Sequence, residues 1–245
     1  MKRLIAILKE KWPEYLFEIL VLIVGIYGAF ALENWNENQK ENQISKKYLK
    51  RLQYDLSRDS TYFRIEEEKV LAFLESNSEA LREAYREQKS VDDFRSFLDK
   101  VRLESDQLTI QDATYTELTS DGTLNLIRND TLRSLLIEYH KNSLIVQKHV
   151  YEFNEFSVEI LKIAIENGLS LKLHRINEYV VAPEMIFQSD WSQLNDPESK
   201  YFRSVENALL TYNQKFALFL EYFELLRTKN IEILNIIEKE IQKMN

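Results

Sequence analysis

The side chains best suited to bind a metal or pass a proton near neutral pH are His140, His149 and His174. His140 and His149 stand nine residues apart, so they do not stack one turn apart as a helical metal pair would. No Glu-x-x-His occurs, which removes the four-helix di-iron pattern. With no Cys there is no disulfide, zinc thiolate or cysteine nucleophile. With 4 Gly there is no phosphate-cradling G-x-x-x-x-G-K or G-x-G-x-x-G loop, and G-x-S-x-G is absent as well. Glu66-Glu67-Glu68 reads as a solvated helix face, and the 13 Tyr and 13 Phe, interleaved in stripes, read as core. The expectation is therefore a chain without catalytic, metal or cofactor residues.

One carboxylate stands out by its surroundings. Glu18 is the single charge between Leu16 and Leu32, in the stretch YLFEILVLIVGIYGAFALENW from Tyr15 to Trp35. A carboxylate there can relay a proton or ion, or bond a neighbouring helix; one turn inside an interface it can instead snorkel out to the headgroups. Four residues apart, Gly25 and Ala29 form a small-xxx-small pair, and Gly28 widens that flat face, allowing another helix to approach closely; lipid-facing glycine is the bland alternative.

The element that positions these residues is a helix. At 1.5 Å per residue, Tyr15–Trp35 covers about 30 Å, the hydrocarbon thickness of a bilayer. Trp12 and Tyr15 on one side and Trp35 on the other suit the two interfaces. Residues 1–14 read as a short cytoplasmic or interfacial amphipathic segment, 15–35 as a transmembrane helix, and 36–245 as a helical extramembrane domain. Lys2, Arg3, Lys9 and Lys11 before the span, against Lys40 alone in Glu33–Ser45, place the N-terminus inside and the domain in the periplasm; Lys46, Lys47, Lys50 and Arg51 weaken that bias. Pro13 is expected to break or redirect the chain. Ala29-Phe30-Ala31 has the look of a signal-peptidase site, but the apolar core is longer than a usual signal sequence, which favours an uncleaved anchor.

Beyond the span the expected class is all-α, a helical-bundle or coiled-coil-like domain. About 210 residues contain just Gly122 and Gly168, too few for a sheet rich in tight turns. A net charge of −8 argues against a nucleic-acid partner. Glu33, Glu37 and Glu41 form an acidic stripe that faces water, a basic partner or a pore mouth. Leu49, Leu52, Leu56, Phe63, Val70, Phe73, Ala80 and Ala84 follow helical spacing, interrupted by Asp59, Glu66 and Asn77, with a partial break expected near Ser57–Thr61. Ser90 to Asp93 is a capping box for a short helix to about Leu103. A helix ending at Asp121 stops on Gly122, Asn129 or Asp130 caps the next, and that one stops at Asn167-Gly168. The last helix carries an a/d repeat, including Phe216, Phe223 and Asn230. Ala208, Leu220 and Leu234 widen its apolar face, favouring bundle packing over an intermolecular coiled coil.

These motifs together resemble a bacterial domain-of-unknown-function family of single-pass membrane proteins. The resemblance rests on Glu18-Ile19, Gly25-Ile26 and Trp35-Asn36-Glu37; on Tyr48-Leu49 through Asp55-Leu56; and on Ser120-Asp121-Gly122-Thr123-Leu124 followed by Ile127 and Asn129. It touches most of residues 15–140. It implies a membrane-anchored helical domain and brings no activity, substrate or catalytic residue. The expected function is that of a scaffold: an interaction protein in the bacterial cytoplasmic membrane, self-associating or bound to another membrane protein. An oligomeric channel or pore-forming effector and a periplasmic sensor are the alternatives.

Overall fold

The computed structural model describes residues 2–174 and 181–244, with side chains described for Trp12 and from Leu16 onward, Pro183 excepted. Five α-helices and no strand are present among them: α1 Lys2–Ala84, α2 Val91–Lys100, α3 Ala113–Ser120, α4 Asp130–Glu166 and α5 Lys200–Lys243. The class is all-α.

α1 is 83 residues long and unbroken. No break occurs at Pro13, where a proline removes a single backbone donor from a helix that continues on both sides. Nor is there a break at 57–61: Ser57 Oγ and Thr61 Oγ1 turn back onto the carbonyls of Gln53 and Ser57, at 2.6 and 3.0 Å, and leave the helix intact. The other boundaries follow local chemistry. Ser90 and Asp93 close a reciprocal capping box, although α2 stops at Lys100 rather than Leu103. Asn129, not Asp130, caps α4 by accepting from the Leu132 amide.

Gly168 follows α4 at φ 106, where the αL-side backbone lets Leu169 N–H reach the Ala164 carbonyl. A Cβ there would strain the backbone and lie 3.4 Å from the Tyr201 ring. Gly168→Ala is expected to lower stability by about 1–2 kcal/mol, read from chemical unfolding of the full chain in detergent.

The bundle runs up, down, up, down. α1 and α5 are antiparallel, with Lys46 beside Met244, Glu67 beside Arg227 and Tyr85 beside Glu206. α4 runs with α1, and α5 packs on both. The second, descending element is not one helix. α2 and α3 are joined by residues 101–112, a non-helical strap lying between α1 and α4. Length explains why. From Arg102, bonded to Asn77, to Gln111, bonded to Asp59, nine residues descend beside eighteen of α1, about 27 Å. A helical nine-mer covers about 14 Å and an extended one about 30 Å.

Apolar faces meet in two clusters. One joins Leu49, Leu56 and Phe63 to Leu132, Phe223 and Ile233; the other, at the far end, joins Ala80, Phe97, Trp191 and Phe202. The a/d face of α5 is buried here: Phe216, Phe223 and Asn230 lie in the core of their own chain. Of the two readings of that repeat, bundle packing is the one the structure adopts, because α1 and α4 occupy the surface a partner helix would need.

Candidate functional site

α1 carries the sequence-predicted face before it enters the bundle. Every described residue from Leu16 to Lys40 is exposed. An 18-residue window there has mean hydropathy 2.1, and none of it is buried by the rest of the chain. This is one helix long and apolar enough, by length and composition, to be a membrane span or a signal sequence. Glu18, Gly25 and Ala29 fall on one side of it by helical spacing, with Gly28 flanking them. A Cβ added at Gly25 or Gly28 would meet nothing within 4 Å, so the flat face is open. Trp12 and Trp35 are 61% and 63% exposed and bracket the apolar stretch; Tyr15 lies outside the described side chains.

The acidic stripe divides where the domain begins. Glu33 and Glu37 are exposed, whereas Glu41 receives a 2.9 Å bond from Arg128, which also bonds Asn38 Oδ1 at 2.9 Å. Arg128 therefore ties the start of α4 to the base of α1. Higher up, Arg51 grips Glu117 with both guanidinium nitrogens, and Tyr48 adds a 3.0 Å bond. These two donors hold the Glu117 carboxyl below the usual carboxylate range. Lys46 caps the C-terminal carbonyl of Met244 on α5, where the helix dipole favours a cation.

Side chains from the helices on either side hold the strap by its backbone. Asn77, fully buried, donates to the Arg102 carbonyl at 3.0 Å and accepts its amide at 2.7 Å. Tyr62, Gln147 and Asn154 donate to the carbonyls of Gln107, Leu108 and Asp106. Asp59 accepts the Gln111 amide at 2.8 Å, and Asp55 accepts both the amide and hydroxyl of Thr114. An extended strand without a neighbouring strand leaves its backbone groups unbonded, and buried ones must find partners. Here helices on both sides supply them as side chains.

Lys215 supplies the most costly of these bonds. It is 0% exposed, donates to the Glu104 carbonyl at 2.6 Å, and lies over the Tyr212 ring at 4.1 Å and the Phe216 ring at 5.0 Å. Burial pushes its ammonium down to about 7, with Asp106 offsetting part of the shift. The carbonyl and the ring faces take the place of a carboxylate partner.

Asp59 is the second buried ionisable group that bonds the strap, 1% exposed. Besides Gln111 it accepts the Tyr139 hydroxyl at 3.0 Å, and that hydroxyl in turn accepts from Asn230 Nδ2 at 3.3 Å, leaving Asn230 Oδ1 buried without a protein partner. Burial raises the Asp59 carboxyl to about 6, against the bonds from Gln111 and Tyr139. Burial and the nearby Asp59 charge also raise the Tyr139 hydroxyl.

The three histidines are kept apart. The His140 ring lies tilted against Tyr115, centroids 4.5 Å apart, and His149 Nδ1 lies 2.8 Å from the Tyr222 hydroxyl. His174 is buried in the far half, and burial lowers its pKa. Among the described residues no group of three or more His, Asp or Glu side chains is placed to hold a metal ion. Among the described residues three narrow spaces hold about 10–20 Å³ each, and a more open groove beside Lys50, Tyr54 and Thr114 holds about 370 Å³. A slot between Leu52, Gln111, Tyr115, Tyr139 and His140 holds about 20 Å³, room for one water and not for an organic ligand.

Spacing in the sequence marks Asp59 and Asn77 as polar interruptions of an apolar stripe, but not their partners, which are 52 and 25 residues away. Lys215 and Asn154 pass unnoticed, since each looks like an ordinary polar residue beside a stripe; the signal that finds them is a polar residue with aromatics or aliphatics at three of the four positions i±3 and i±4, the fourth being Thr211 for Lys215 and Ser157 for Asn154. No protein-family model, no curated protein and no solved structure matches this chain.

Proposed function

We propose that this chain is a membrane-anchored interaction protein, in which α1 crosses a bacterial cytoplasmic membrane once and holds the helical domain on the periplasmic side. The observation that carries the reading is a contrast within one helix. From Leu49 onward the apolar stripe of α1 is covered by its own chain, while from Leu16 to Leu32 the helix is apolar on every side apart from Glu18 and covered by nothing. A surface of that kind needs lipid or another helix. The resemblance to single-pass membrane proteins, through Trp35-Asn36-Glu37 and Gly25-Ile26, belongs to the same reading.

The open Gly25/Gly28/Ala29 face is the contact surface, for a second copy or for another membrane protein. Gly25→Leu and Gly28→Leu are each expected to lower crosslinking between neighbouring spans about fivefold, equivalent to about 1 kcal/mol of helix packing. Unchanged crosslinking in native membranes would assign these glycines to lipid. The mass of the nanodisc-solubilised protein, purified with whatever accompanies it, separates a homo-oligomer from an accessory subunit. Conductance of that homo-oligomer in planar bilayers is the test for the pore reading, in which Glu18, Glu33 and Glu37 would line or ring the conduit.

A sensor module is the second reading, favoured by the unbroken course of α1. A helix without a hinge carries a shift in the bundle to the span. Spin-label distances between spans, measured with the domain intact and with α1 interrupted by a Gly-Pro pair near Gln43, would fail to differ if no such coupling exists.

A further inference from the structure

We propose that the open groove beside Lys47, Lys50 and Tyr54 docks an acidic segment of a second, different membrane protein, the segment that leaves the bilayer next to Gly25 and Ala29. The proposal deepens the interaction reading above and rests on it.

The groove lies where α1 meets the start of α3. It holds about 370 Å³ and is lined by Lys47, Lys50, Arg51, Tyr54 and Asp55 of α1 with Thr114 of α3. Its carboxylates are already bonded. Asp55 accepts the amide and hydroxyl of Thr114, and the neighbouring Glu117 is held by Arg51 and Tyr48. Its lysines are not. Lys47 acts on Glu117 only through its field, behind Arg51. Lys47 and Lys50 are exposed and make no ion pair or hydrogen bond among the described residues. Tyr54 is 63% exposed, with the Arg58 guanidinium over its ring at 5.9 Å. In a chain of net charge −8, positive charge is left over here beside an uncovered aromatic face. Carboxylates flanking an apolar or aromatic side chain are the chemistry that fits it. Because the groove is open rather than enclosed, it suits a length of chain better than a small ligand.

Position decides between three sources of negative charge. Lys47 and Tyr54 stand 12 and 19 residues beyond Trp35, about 18 and 28 Å along an unbroken helix. Headgroups end about 5–8 Å above the hydrocarbon, so the middle of the groove is more than one Debye length from them, and lipid is too far below. A second copy in a twofold pair is related by an axis along the membrane normal, so the face toward the axis meets itself. Lys47, Lys50 and Tyr54 follow Gly25 by 22, 25 and 29 residues, which at 3.6 residues per turn returns them to within about 40° of it. Copies joined along that face would set these lysines against themselves, and like charges repel. Copies crossing steeply at Gly25 would part above the membrane and leave the groove uncovered. A different protein meets neither obstacle. Its span packs on Gly25 and Ala29, and the outer side of α1 leads from there to Tyr54 without a break. A helix beside α1 brings carboxylates to the lysines if it carries Asp or Glu about 12–16 residues beyond its own interface level.

The test replaces Tyr54 with the photo-crosslinker p-benzoylphenylalanine in the full chain in its native membranes. A second probe replaces Leu32, seven residues beyond Gly25 on the same face. The expected product at position 54 is an adduct to another protein, with a crosslinked peptide, identified by mass spectrometry, that contains Asp or Glu and lies just beyond a membrane span. Lys47→Glu with Lys50→Glu is expected to lower that yield about tenfold, and Lys47→Gln with Lys50→Gln about threefold. Both side chains are exposed, so the unfolding midpoint should stay in place; if the Glu pair lowers it, the Gln pair decides. Adducts only to this chain's own peptides, only to lipid or only to a peptide without carboxylates overturn the proposal. So does the absence of any adduct, or a yield indifferent to the charge at 47 and 50. The Leu32 probe keeps the two readings apart. A protein adduct there, with any of those failures at 54, leaves the anchored interaction protein standing and removes the groove. Lipid alone at both positions removes both.

Discussion

Lys215→Ala is expected to destabilise the domain by about 3 kcal/mol, measured by chemical unfolding of the detergent-solubilised chain. Two losses add. The whole side chain is buried, with its Nζ over the rings of Tyr212, Phe216 and Phe219, and its removal leaves a void in a core that cannot close fully. The Glu104 carbonyl also loses its 2.6 Å donor. Against these stands the relief of burying a cation. Lys215→Met isolates that term: the stem volume stays, the charge goes, and the variant is expected within about 1 kcal/mol of wild type at neutral pH. The ammonium is depressed in the folded state, from 10.5 toward about 7, so the wild type gains stability as pH rises from about 7 to about 10.5, where the unfolded chain holds the proton and the folded chain does not. Lys215→Met should lack that rise. Equal destabilisation by Ala and Met would show that the stem contributes nothing and that the bond to the strap is the whole effect.

Phe63→Ala is expected to cost about 4 kcal/mol in the same measurement. The ring is fully buried at the meeting of α1 and α5, stacked on Phe223 at 6.3 Å and tilted against Tyr62 at 5.6 Å. Its loss opens space under Tyr62, whose hydroxyl bonds the strap at Gln107, so strap amides near 107 should lose protection before those of α4. Phe63→Leu, which keeps most of the volume, is expected to cost about 1.5 kcal/mol. Phe73 provides the comparison on the same stripe: only partly buried, it should cost visibly less on truncation to Ala.

Stability in this domain is thus divided between an aromatic-rich seam and a polar one. The aromatic seam could be read directly from period: Leu49, Leu52, Leu56 and Phe63 on α1 and Phe216, Phe219 and Phe223 on α5 recur at three and four residues and are buried as that spacing requires. Caps were legible for the same local reason, since Ser90, Asn129, Gly122 and Gly168 act on backbone groups within a few residues of themselves. The strap was not. Its residues show no period, and what holds it are bonds from Asp59, Asn77, Asn154 and Lys215, residues 25 to 111 positions away in the chain.

The amino-acid sequence by itself determined the all-α class, the apolar stretch from Leu16 to Leu32, the small-residue Gly25/Gly28 face and the ends of α2, α3 and α4 to within a few residues, because each depends on neighbours along one helix, though not the unbroken course of α1 through Pro13 and residues 57–61. Tertiary structure alone decided three things. It placed the a/d face of α5, with Asn230, inside its own bundle rather than between chains. It divided the acidic stripe by giving Glu41 to Arg128. It turned Asp59 and Lys215 from irregularities in a pattern into the buried groups that anchor the strap. All three are matters of which distant surface meets which, and a buried charge acquires its role only from the groups that the fold brings around it.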